Sequence, residues 1–270
     1  MKETQRRTVL SIAGSDCSGG AGIQADIKTM MANGVYAMSV ITALTAQNTL
    51  GVTGIFEVPS EFIKKQLDAV FTDIYPDAVK IGMVTSVEVI ELIAERLAFY
   101  QAKHVVVDTV MASSSGTNFT NAAVVQAWKK KLFPVADLLT PNIPECEILL
   151  EDKIQTPKDM ERAAEYIGKQ YGCAVLVKGG HLRKRADDLL WTGEKHVWFP
   201  GEKIENPNTH GTGCTLSSAI ASNLAKGLPV EQAVKQAKAY LRGAIGAMLN
   251  LGKGSGPMDH GYMIEDGGPL

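Results

Sequence analysis

The sequence predicts an α/β fold of three layers, an α/β/α sandwich whose central sheet is mostly parallel. Short runs of apolar and β-branched residues recur along the chain, as is typical of strands buried on both faces. Longer segments with a helical period of apolar residues separate these runs. Such alternation of strand and helix indicates parallel strands with helices packed on both faces of the sheet.

Each element follows from its local pattern. The predicted strands are Thr8–Ala13, Met38–Ala43, Ala78–Ile81, His104–Asp108, Leu138–Thr140 and Ala174–Lys178. The predicted helices are Ser60–Thr72, Ser86–Gln101, Lys158–Gln170, Gly213–Lys226 and Val230–Leu249. Asp187–Trp191 and His196–Phe199 flank a turn that contains glycine, which predicts a β-hairpin. Thr156 and Pro157 are predicted as the N-cap and first residue of one helix, and Ser60 as the N-cap of another.

The composition predicts one globular domain that spans residues 1–270. Hydrophobic residues make up 45% of the chain and charged residues 21%, and the length suits a single α/β domain. The formal net charge of −2 argues against a nucleic-acid partner. No apolar stretch is long enough to cross a membrane, and the start of the chain lacks a signal-peptide pattern. The 4 cysteines form no C-x-x-C pair, so we expect reduced thiols and a cytoplasmic protein.

A glycine-rich segment, Gly14–Gly22, follows the first strand and precedes a helix. Glycines let backbone N–H groups approach a ligand closely at a helix start. The spacing matches neither the dinucleotide-binding motif nor the P-loop. A ligand-binding loop and a plain tight turn are therefore both open interpretations of this segment.

A second glycine-containing turn, Thr209–Thr215, precedes a helix of small and apolar residues. Free N–H groups at Gly211, Thr212 and Gly213 would face one point, where the helix dipole also favours negative charge. This pattern suits an anion whose charge grows during a reaction. Cys214 lies in the same first turn, where a thiol is expected to have a lowered pKa and to act as a base or nucleophile. The alternative is that Cys214 is a small buried filler.

Polar residues at the ends of neighbouring strands form a third candidate site. Asp108 and Lys178 end two predicted strands, and Asn142 and Glu145 follow a third. The carboxyl ends of parallel strands meet at one edge of a sheet, where ligands bind in open α/β folds. A lysine with carboxylates and an amide at that edge suits Mg²⁺ and nucleotide phosphates.

Seven motifs, in this order, resemble the hydroxymethylpyrimidine/phosphomethylpyrimidine kinases of thiamine biosynthesis, a family of the ribokinase superfamily. They are Gly14–Asp26, Val40–Asn48, Lys80–Met83, Asp108–Met111, Thr140–Glu145, Val177–His181 and Thr209–Thr215. The resemblance implies a ribokinase-like fold and a homodimer. It also implies transfer of the γ-phosphoryl group of ATP to the hydroxymethyl oxygen of 4-amino-5-hydroxymethyl-2-methylpyrimidine, and a second transfer to the resulting monophosphate.

The resemblance also implies roles for individual residues. Gln47 would bind the aminopyrimidine, in agreement with an amide that offers both a donor and an acceptor. The other residues of the substrate site would be Gly14, Asp26, Thr45, Met83 and Val110. Cys214 would be the base, and Gly211, Thr212 and Gly213 the anion hole. The ATP site would include Lys178, Asn142, Thr209 and Gly211, with Asp108 and Glu145 holding Mg²⁺ through waters.

One departure from the family pattern concerns the second phosphorylation. Ser114 stands where the family usually has a lysine, and the monophosphate carries an anion that needs a cation. The segments Asp108–Thr120 and Arg183–Asp187 are candidate loops for closing over the site.

Other functions remain as alternatives. Within the superfamily the main one is a pyridoxine/pyridoxal kinase, whose relatives of this kind carry an apolar residue where Gln47 stands. Outside it, the glycine loop allows a nicotinamide-dependent oxidoreductase. Cys214 together with His210 allows a cysteine hydrolase. The third alternative outside the superfamily is a binding module without catalytic activity.

Overall fold

Nine strands form one sheet in the computed structural model, which describes residues 6–111, 120–180 and 186–264. The strands are β1 (Thr8–Asp16), β2 (Tyr36–Asn48), β3 (Gly51–Glu57), β4 (Ala78–Ile81), β5 (Val105–Val107), β6 (Leu138–Leu139), β7 (Ala174–Val177), β8 (Asp188–Trp191) and β9 (His196–Phe199). Their order across the sheet is β3-β2-β1-β4-β5-β6-β7-β8-β9. The strands from β2 to β7 in that order pair in parallel, and β3, β8 and β9 pair antiparallel at the two edges.

Helices cover both faces of this sheet. They are α1 (Gly22–Ala32), α2 (Ser60–Phe71), α3 (Val87–Phe99), α4 (Ala122–Ala127), α5 (Ile143–Leu150), α6 (Pro157–Tyr171), α7 (Thr212–Ala225) and α8 (Val230–Gly246). A π-helical turn at Trp128–Leu132 and a 3₁₀ turn at Phe133–Val135 follow α4. This arrangement confirms the predicted α/β/α layers with a mostly parallel sheet.

Two apolar layers separate the sheet from its helices. Alternate residues of β1 point to opposite faces, so Leu10 packs with α2 and α3, whereas Val9 packs with α7 and α8. The four residues of β4 are all buried, including the charged residue Lys80. Burial of each large aliphatic side chain of this kind contributes about 1.5–3 kcal/mol.

Local signals mark some element boundaries correctly. Thr156 caps α6 through a capping box with Asp159, and Pro157 is the first helical residue, as predicted. The predicted cap Ser60 is wrong by one residue, because Pro59 is the N-cap of α2 and the Ser60 hydroxyl donates to Glu88 instead.

One strand was not predicted. β3 lies at the edge of the sheet and pairs with the end of β2. Its residues are exposed or only partly buried. Its sequence therefore lacks the alternation of apolar and polar residues that identifies a strand with one buried face.

The helices of the described residues include none that is both long and apolar enough to cross a membrane.

Candidate active site

A cavity of about 1040 Å³ opens at the carboxyl ends of the parallel strands. The predicted site residues that line it are Gly14, Thr45, Gln47, Met83, Asp108, Val110, Asn142, Glu145, Lys178, Thr209, Gly211, Thr212, Gly213 and Cys214. These residues come from both glycine-containing segments and from the ends of β5, β6 and β7. The fold therefore brings the three candidate sites of the sequence together in one cavity.

The start of α7 is shaped by close contact between the two glycine-containing loops. Gly211 is the N-cap of α7 and has a φ of 83°, in the left-handed region. A Cβ atom at Gly211 would lie 2.0 Å from the carbonyl oxygen of Gly20, so the position has no room for a side chain. Among the described residues, no side chain caps this helix start. Its first turn, which contains Gly213 and Cys214, therefore presents helix N–H groups and the positive end of the dipole to the cavity.

Lys178 and Asp108 form an ion pair beside this helix start. Lys178 Nζ lies 2.7 Å from Asp108 Oδ1 and 4.0 Å from Glu145 Oε2. A Cβ atom at Gly213 would lie 3.5 Å from Lys178 Nζ, so the ammonium group is close to the first turn of α7. Burial alone would lower the pKa of Lys178, but Asp108 and Glu145 raise it, and Lys178 stays charged. A cation and helix N–H groups thus face the same part of the cavity.

Glu145 is held in place by the start of α5. The Asn142 side chain accepts a hydrogen bond from the Glu145 N–H at 2.9 Å, and Glu145 Oε2 accepts one from the Asn142 N–H at 2.8 Å. Thr109 Oγ1 also donates to Glu145 Oε2 at 2.9 Å. Burial raises the pKa of Glu145. The nearby charge of Lys178 lowers this pKa, and that of Asp108 raises it further. Asn142 and Glu145, which follow β6 as predicted, therefore form the capping box of α5.

The two carboxylates suit Mg²⁺ held through waters better than direct ligation. Across the described ranges, no group of three or more His, Cys, Asp or Glu side chains could hold a metal ion. Asp108 and Glu145 are nevertheless neighbours at one edge of the cavity, with Lys178 between them. Mg²⁺ usually keeps several waters and takes one or two protein carboxylates together with substrate phosphates, which matches this donor set.

The pKa of Cys214 is shifted in the opposite direction from the one that its place at a helix start predicts. Burial is the largest effect and raises this pKa, and the carboxylates of Asp26 and Asp108 raise it further. Lys80 and a hydrogen bond from the Gly22 backbone lower it, and the resulting pKa is about 11. Burial and two carboxylates therefore outweigh Lys80 and the Gly22 N–H. Cys214 is a thiol at neutral pH in the ligand-free protein, and the expected lowered pKa is wrong. Two further cysteines, Cys146 and Cys173, are buried in the core.

Asp26 does not line the cavity. Its carboxylate is fully buried and lies 2.8 Å from Lys80 Nζ, which is also fully buried. The Ser11 hydroxyl on β1 and the Ser218 hydroxyl on α7 donate to the same carboxylate at 2.5 and 2.7 Å. We expected Asp26 near the substrate, but it lies in a buried ion pair. Its carboxylate contacts Ser218, which is one helical turn beyond Cys214 on α7. Lys80 had no predicted role, because its partner is 54 residues away in the sequence.

Gln47 lies in the cavity within a polar chain that the sequence did not reveal. Its Nε2 atom is 3.0 Å from His210 Nε2, and its Oε1 atom is 3.2 Å from Thr45 Oγ1. His210 Nε2 also lies 2.9 Å from Asp16 Oδ2. Met83 Cε approaches Gly14 so closely that a Cβ atom there would lie 2.4 Å away. The predicted ring pocket is therefore lined by both polar and apolar groups.

Another buried ion pair, between Lys238 and Asp188, also lines the cavity. Lys238 Nζ donates to Asp188 Oδ2 at 2.6 Å and to the carbonyl oxygens of Ala186 and Phe199 at 2.7 and 2.9 Å. The other oxygen of Asp188 accepts from the N–H of Gly179, next to Lys178, at 2.8 Å. This clamp holds the β8–β9 region against α8. The sequence did not predict this ion pair, because the residue pattern of α8 is that of an ordinary amphipathic helix.

Some predicted features lie outside the described residues. They are Ser114, His181, and the parts of the two candidate closing loops that fall in 112–119 and 183–185.

Comparison with known proteins agrees with the motifs. A family model described as phosphomethylpyrimidine kinase matches residues 16–259. The hydroxymethylpyrimidine/phosphomethylpyrimidine kinase of Rhizobium meliloti is 50% identical over 255 residues, which cover 93% of this chain and 96% of that protein. The thiamine biosynthesis bifunctional protein ThiED of Geobacter sulfurreducens is 48% identical over 262 residues. That match covers 97% of this chain and 54% of the bifunctional protein, so the chain spans about half of its length.

Solved structures share the fold over most of the chain. The crystal structure of phosphomethylpyrimidine kinase from Clostridium difficile has a TM-score of 0.81 and 47% identity, and covers 89% of this chain and 100% of that chain. An ADP complex of Bacillus subtilis pyridoxal kinase has a TM-score of 0.89 and 36% identity, and covers 96% and 99% of the two chains. These neighbours confirm the predicted ribokinase-like fold. With the family match over most of its length, the chain belongs to the phosphomethylpyrimidine kinase family.

Proposed function

We propose that this chain transfers the γ-phosphoryl group of ATP to the hydroxymethyl oxygen of 4-amino-5-hydroxymethyl-2-methylpyrimidine, and then to the monophosphate that results. The observation that carries the proposal is one cavity that holds Gln47, Cys214 and Lys178. The Gln47 amide can hydrogen-bond to the amino group and ring nitrogen of an aminopyrimidine, and the Lys178 ammonium group and the start of α7 can bind phosphate. Membership of the kinase family supports the same reaction.

The residues divide the work between the two ends of the cavity. Gln47 and Thr45 would bind the pyrimidine, with Met83, Val110 and Gly14 against the ring. Cys214 would take the proton of the hydroxymethyl group as its oxygen bonds to the γ-phosphorus and the bond to the β-phosphate oxygen breaks. The N–H groups of Gly211, Thr212 and Gly213 would stabilise the charge that develops on the transferred group.

The nucleotide end would be organised around Lys178. Its ammonium group would bind ATP phosphates, with Thr209 and Asn142 on either side. Asp108 and Glu145 would hold Mg²⁺ through waters, and the ion would neutralise phosphate charge when bound. The ADP complex of the Bacillus subtilis pyridoxal kinase supports nucleotide binding on this fold.

Cys214 can act as a base only in its deprotonated form. Because its pKa is about 11 in the ligand-free protein, the thiolate is a small fraction at neutral pH. Asp108 is one of the groups that raise this pKa, so neutralising Asp108 would favour the thiolate. The proposed base role therefore makes the rate depend on pH.

Pyridoxine phosphorylation is the second candidate function. The pyridoxal kinase with a TM-score of 0.89 favours it, because the two folds are closely similar. Gln47 argues for the pyrimidine, since a donor and an acceptor match an amino group beside a ring nitrogen.

We also propose a cytoplasmic homodimer. Leu44 on β2 and Phe56 on β3 are opposite each other and are 46% and 65% exposed. An apolar pair on an edge hairpin is a surface that a second copy of the chain would cover. The four free cysteines support the cytoplasmic location. Sedimentation should show a dimer that Phe56→Glu converts to a monomer.

The activity is tested by measuring ADP release with three substrates in parallel: hydroxymethylpyrimidine, its monophosphate and pyridoxine. The proposal expects turnover of both pyrimidines at a higher kcat/KM than that of pyridoxine. A chain that turned over pyridoxine and neither pyrimidine would be a pyridoxine kinase. Turnover of hydroxymethylpyrimidine alone would limit the chain to the first phosphorylation, as the absence of the family lysine at Ser114 allows.

A further inference from the structure

The Gln47 side-chain amide lies between two polar partners. One end is 3.0 Å from His210 Nε2, and the other is 3.2 Å from Thr45 Oγ1. An amide has an acceptor at one end and a donor at the other. Its orientation therefore decides which group of a ligand can bind on the His210 side and which on the Thr45 side.

The proton on His210 is fixed by Asp16. Asp16 Oδ1 accepts hydrogen bonds from the Ser18 N–H and hydroxyl at 2.9 and 2.8 Å, and Oδ2 accepts one from the Ala21 N–H at 2.8 Å. Burial raises the pKa of Asp16, but bonds from His210, Ser18 and Ala21 lower it to about 2. The carboxylate is therefore ionised, and the contact of 2.9 Å with His210 Nε2 requires a proton on that nitrogen. His210 Nε2 donates this proton to Asp16 and has no lone pair with which to accept a hydrogen bond from Gln47.

The proton of the Thr45 hydroxyl is fixed by Ser15. Thr45 Oγ1 lies 2.9 Å from the carbonyl oxygen of Ser15, which can only accept a hydrogen bond. The single hydroxyl proton of Thr45 is thus used in that bond. Towards Gln47, Thr45 Oγ1 presents a lone pair, so it is an acceptor there.

These two assignments impose the same orientation on the amide. A protonated His210 Nε2 cannot accept from the Gln47 NH₂ group, so only the amide oxygen is compatible with this N–H, whereas Thr45 needs a donor. A half-turn about the last side-chain bond of Gln47 places the amide oxygen beside His210 and the nitrogen beside Thr45, which satisfies both contacts. We propose that His210 and Thr45 are positioning residues, which lock the Gln47 amide in this orientation and so set the specificity of the site.

The locked amide reads one order of groups along a ligand edge. Gln47 keeps one oxygen lone pair and one N–H for the ligand. The inference rests on the proposed function, because a 4-aminopyrimidine offers an N–H donor next to a ring-nitrogen acceptor. Its amino group would bind on the His210 side and its ring nitrogen on the Thr45 side.

The 4-oxo counterpart of this substrate carries the opposite order, an acceptor carbonyl next to a ring N–H. A free amide could turn over and bind it equally well, whereas a locked amide would have to leave its partners unpaired. Discrimination between the two compounds thus depends on the neighbours of Gln47 as well as on Gln47 itself.

The test is the ratio of kcat/KM for the 4-amino substrate to kcat/KM for the 4-oxo compound. The wild-type protein should favour the amino compound by on the order of 10²-fold. In His210→Met the ratio should fall to within about tenfold, mainly through KM, because the amide can rotate. His210→Gln supplies an N–H that can reach Asp16 and Gln47, and should retain most of the ratio. If His210→Met slows both substrates equally and leaves the ratio intact, His210 has only a structural role and the proposal is wrong.

Thr45 provides an independent arm that decides the matter if His210→Met does not fold. Thr45→Val removes the acceptor for the amide and should also lower the ratio, whereas Thr45→Ser should retain it. An unchanged ratio in Thr45→Val contradicts the proposal. A wild-type protein that does not phosphorylate the amino compound would instead overturn the proposed function. Melting temperatures and the KM for ATP, measured for each variant, show whether a change is confined to the pyrimidine site.

Discussion

Lys80 Nζ lies 2.8 Å from Asp26 Oδ2, and both side chains are wholly buried. Hydroxyl groups of Ser11 and Ser218 donate to the same carboxylate. Burial alone would lower the pKa of Lys80, but the Asp26 carboxylate raises it well above its usual value. This ion pair ties α1 and α7 to the centre of the sheet.

Replacing Lys80 by Met should lower the free energy of unfolding by about 3–5 kcal/mol, because Asp26 would be left as an unpaired buried charge. Urea denaturation measures the change. Lys65→Met is the matched control: Lys65 pairs with Glu61 at 3.2 Å on the exposed surface of α2, and its loss should cost less than about 0.5 kcal/mol. Equal effects of the two substitutions would show that the buried pair has no special importance.

Gly211→Ala should impair both stability and catalysis. A side chain at this position meets the Gly20 carbonyl oxygen and forces a residue with a φ of 83° into a strained backbone, at a cost of about 1–3 kcal/mol or more. The start of α7 must move, so kcat should fall as well. Thermal unfolding and steady-state kinetics measure the two effects.

Gly246→Ala is the control for that substitution. Gly246 is the last residue of α8, and a Cβ atom there meets nothing within 4 Å. Alanine should be neutral or stabilising by up to about 1 kcal/mol. If Gly211→Ala were equally harmless, the contact between the two glycine-containing loops would not matter.

The rate of the wild-type protein should rise with pH. The pKa of Cys214 is raised to about 11, so the thiolate fraction grows about tenfold per unit between pH 7 and 10. If Cys214 is the base, kcat/KM for the pyrimidine should increase over this range, because kcat/KM reports the groups of the free protein, and the low residual kcat/KM of Cys214→Ala should not. A pH–rate profile at ATP and pyrimidine concentrations below saturation measures both. A flat wild-type profile would mean that no deprotonation of this thiol limits the reaction.

Gln47→Met should weaken pyrimidine binding by roughly 1–3 kcal/mol, since the amino group and ring nitrogen of the ligand would lose their partner. Titration calorimetry gives the change in Kd. The same substitution should leave pyridoxine binding unchanged or improve it. An unaltered Kd for the pyrimidine would contradict the assignment of Gln47 to substrate recognition.

The sequence predicts contacts that follow from topology. Asp108 follows β5 and Lys178 follows β7, and parallel strands bring their carboxyl ends to one edge, so the bond of 2.7 Å between them could be anticipated. The helix start at Gly211 could be anticipated too, because the glycine spacing is local. Membership of the family was predicted correctly from the same motifs.

What the sequence did not predict depends on distant groups. The pKa of Cys214 is set by burial and by Lys80, Asp26 and Asp108, so local position at a helix start gave the wrong direction. The family resemblance implied that Asp26 lies near the substrate, whereas its carboxylate pairs with Lys80 inside the core. His210 gave only a weak signal, since its partner Asp16 is 194 residues away in the sequence.

If Cys214 takes the proton where the γ-phosphate meets the hydroxymethyl group, its removal should affect catalysis far more than binding. A comparison of kcat and pyrimidine Kd for the wild-type protein and Cys214→Ala measures this difference. We expect a loss of kcat on the order of 10²-fold or more, with a Kd that changes by only a few-fold. An unchanged kcat in Cys214→Ala would remove the thiol from the mechanism.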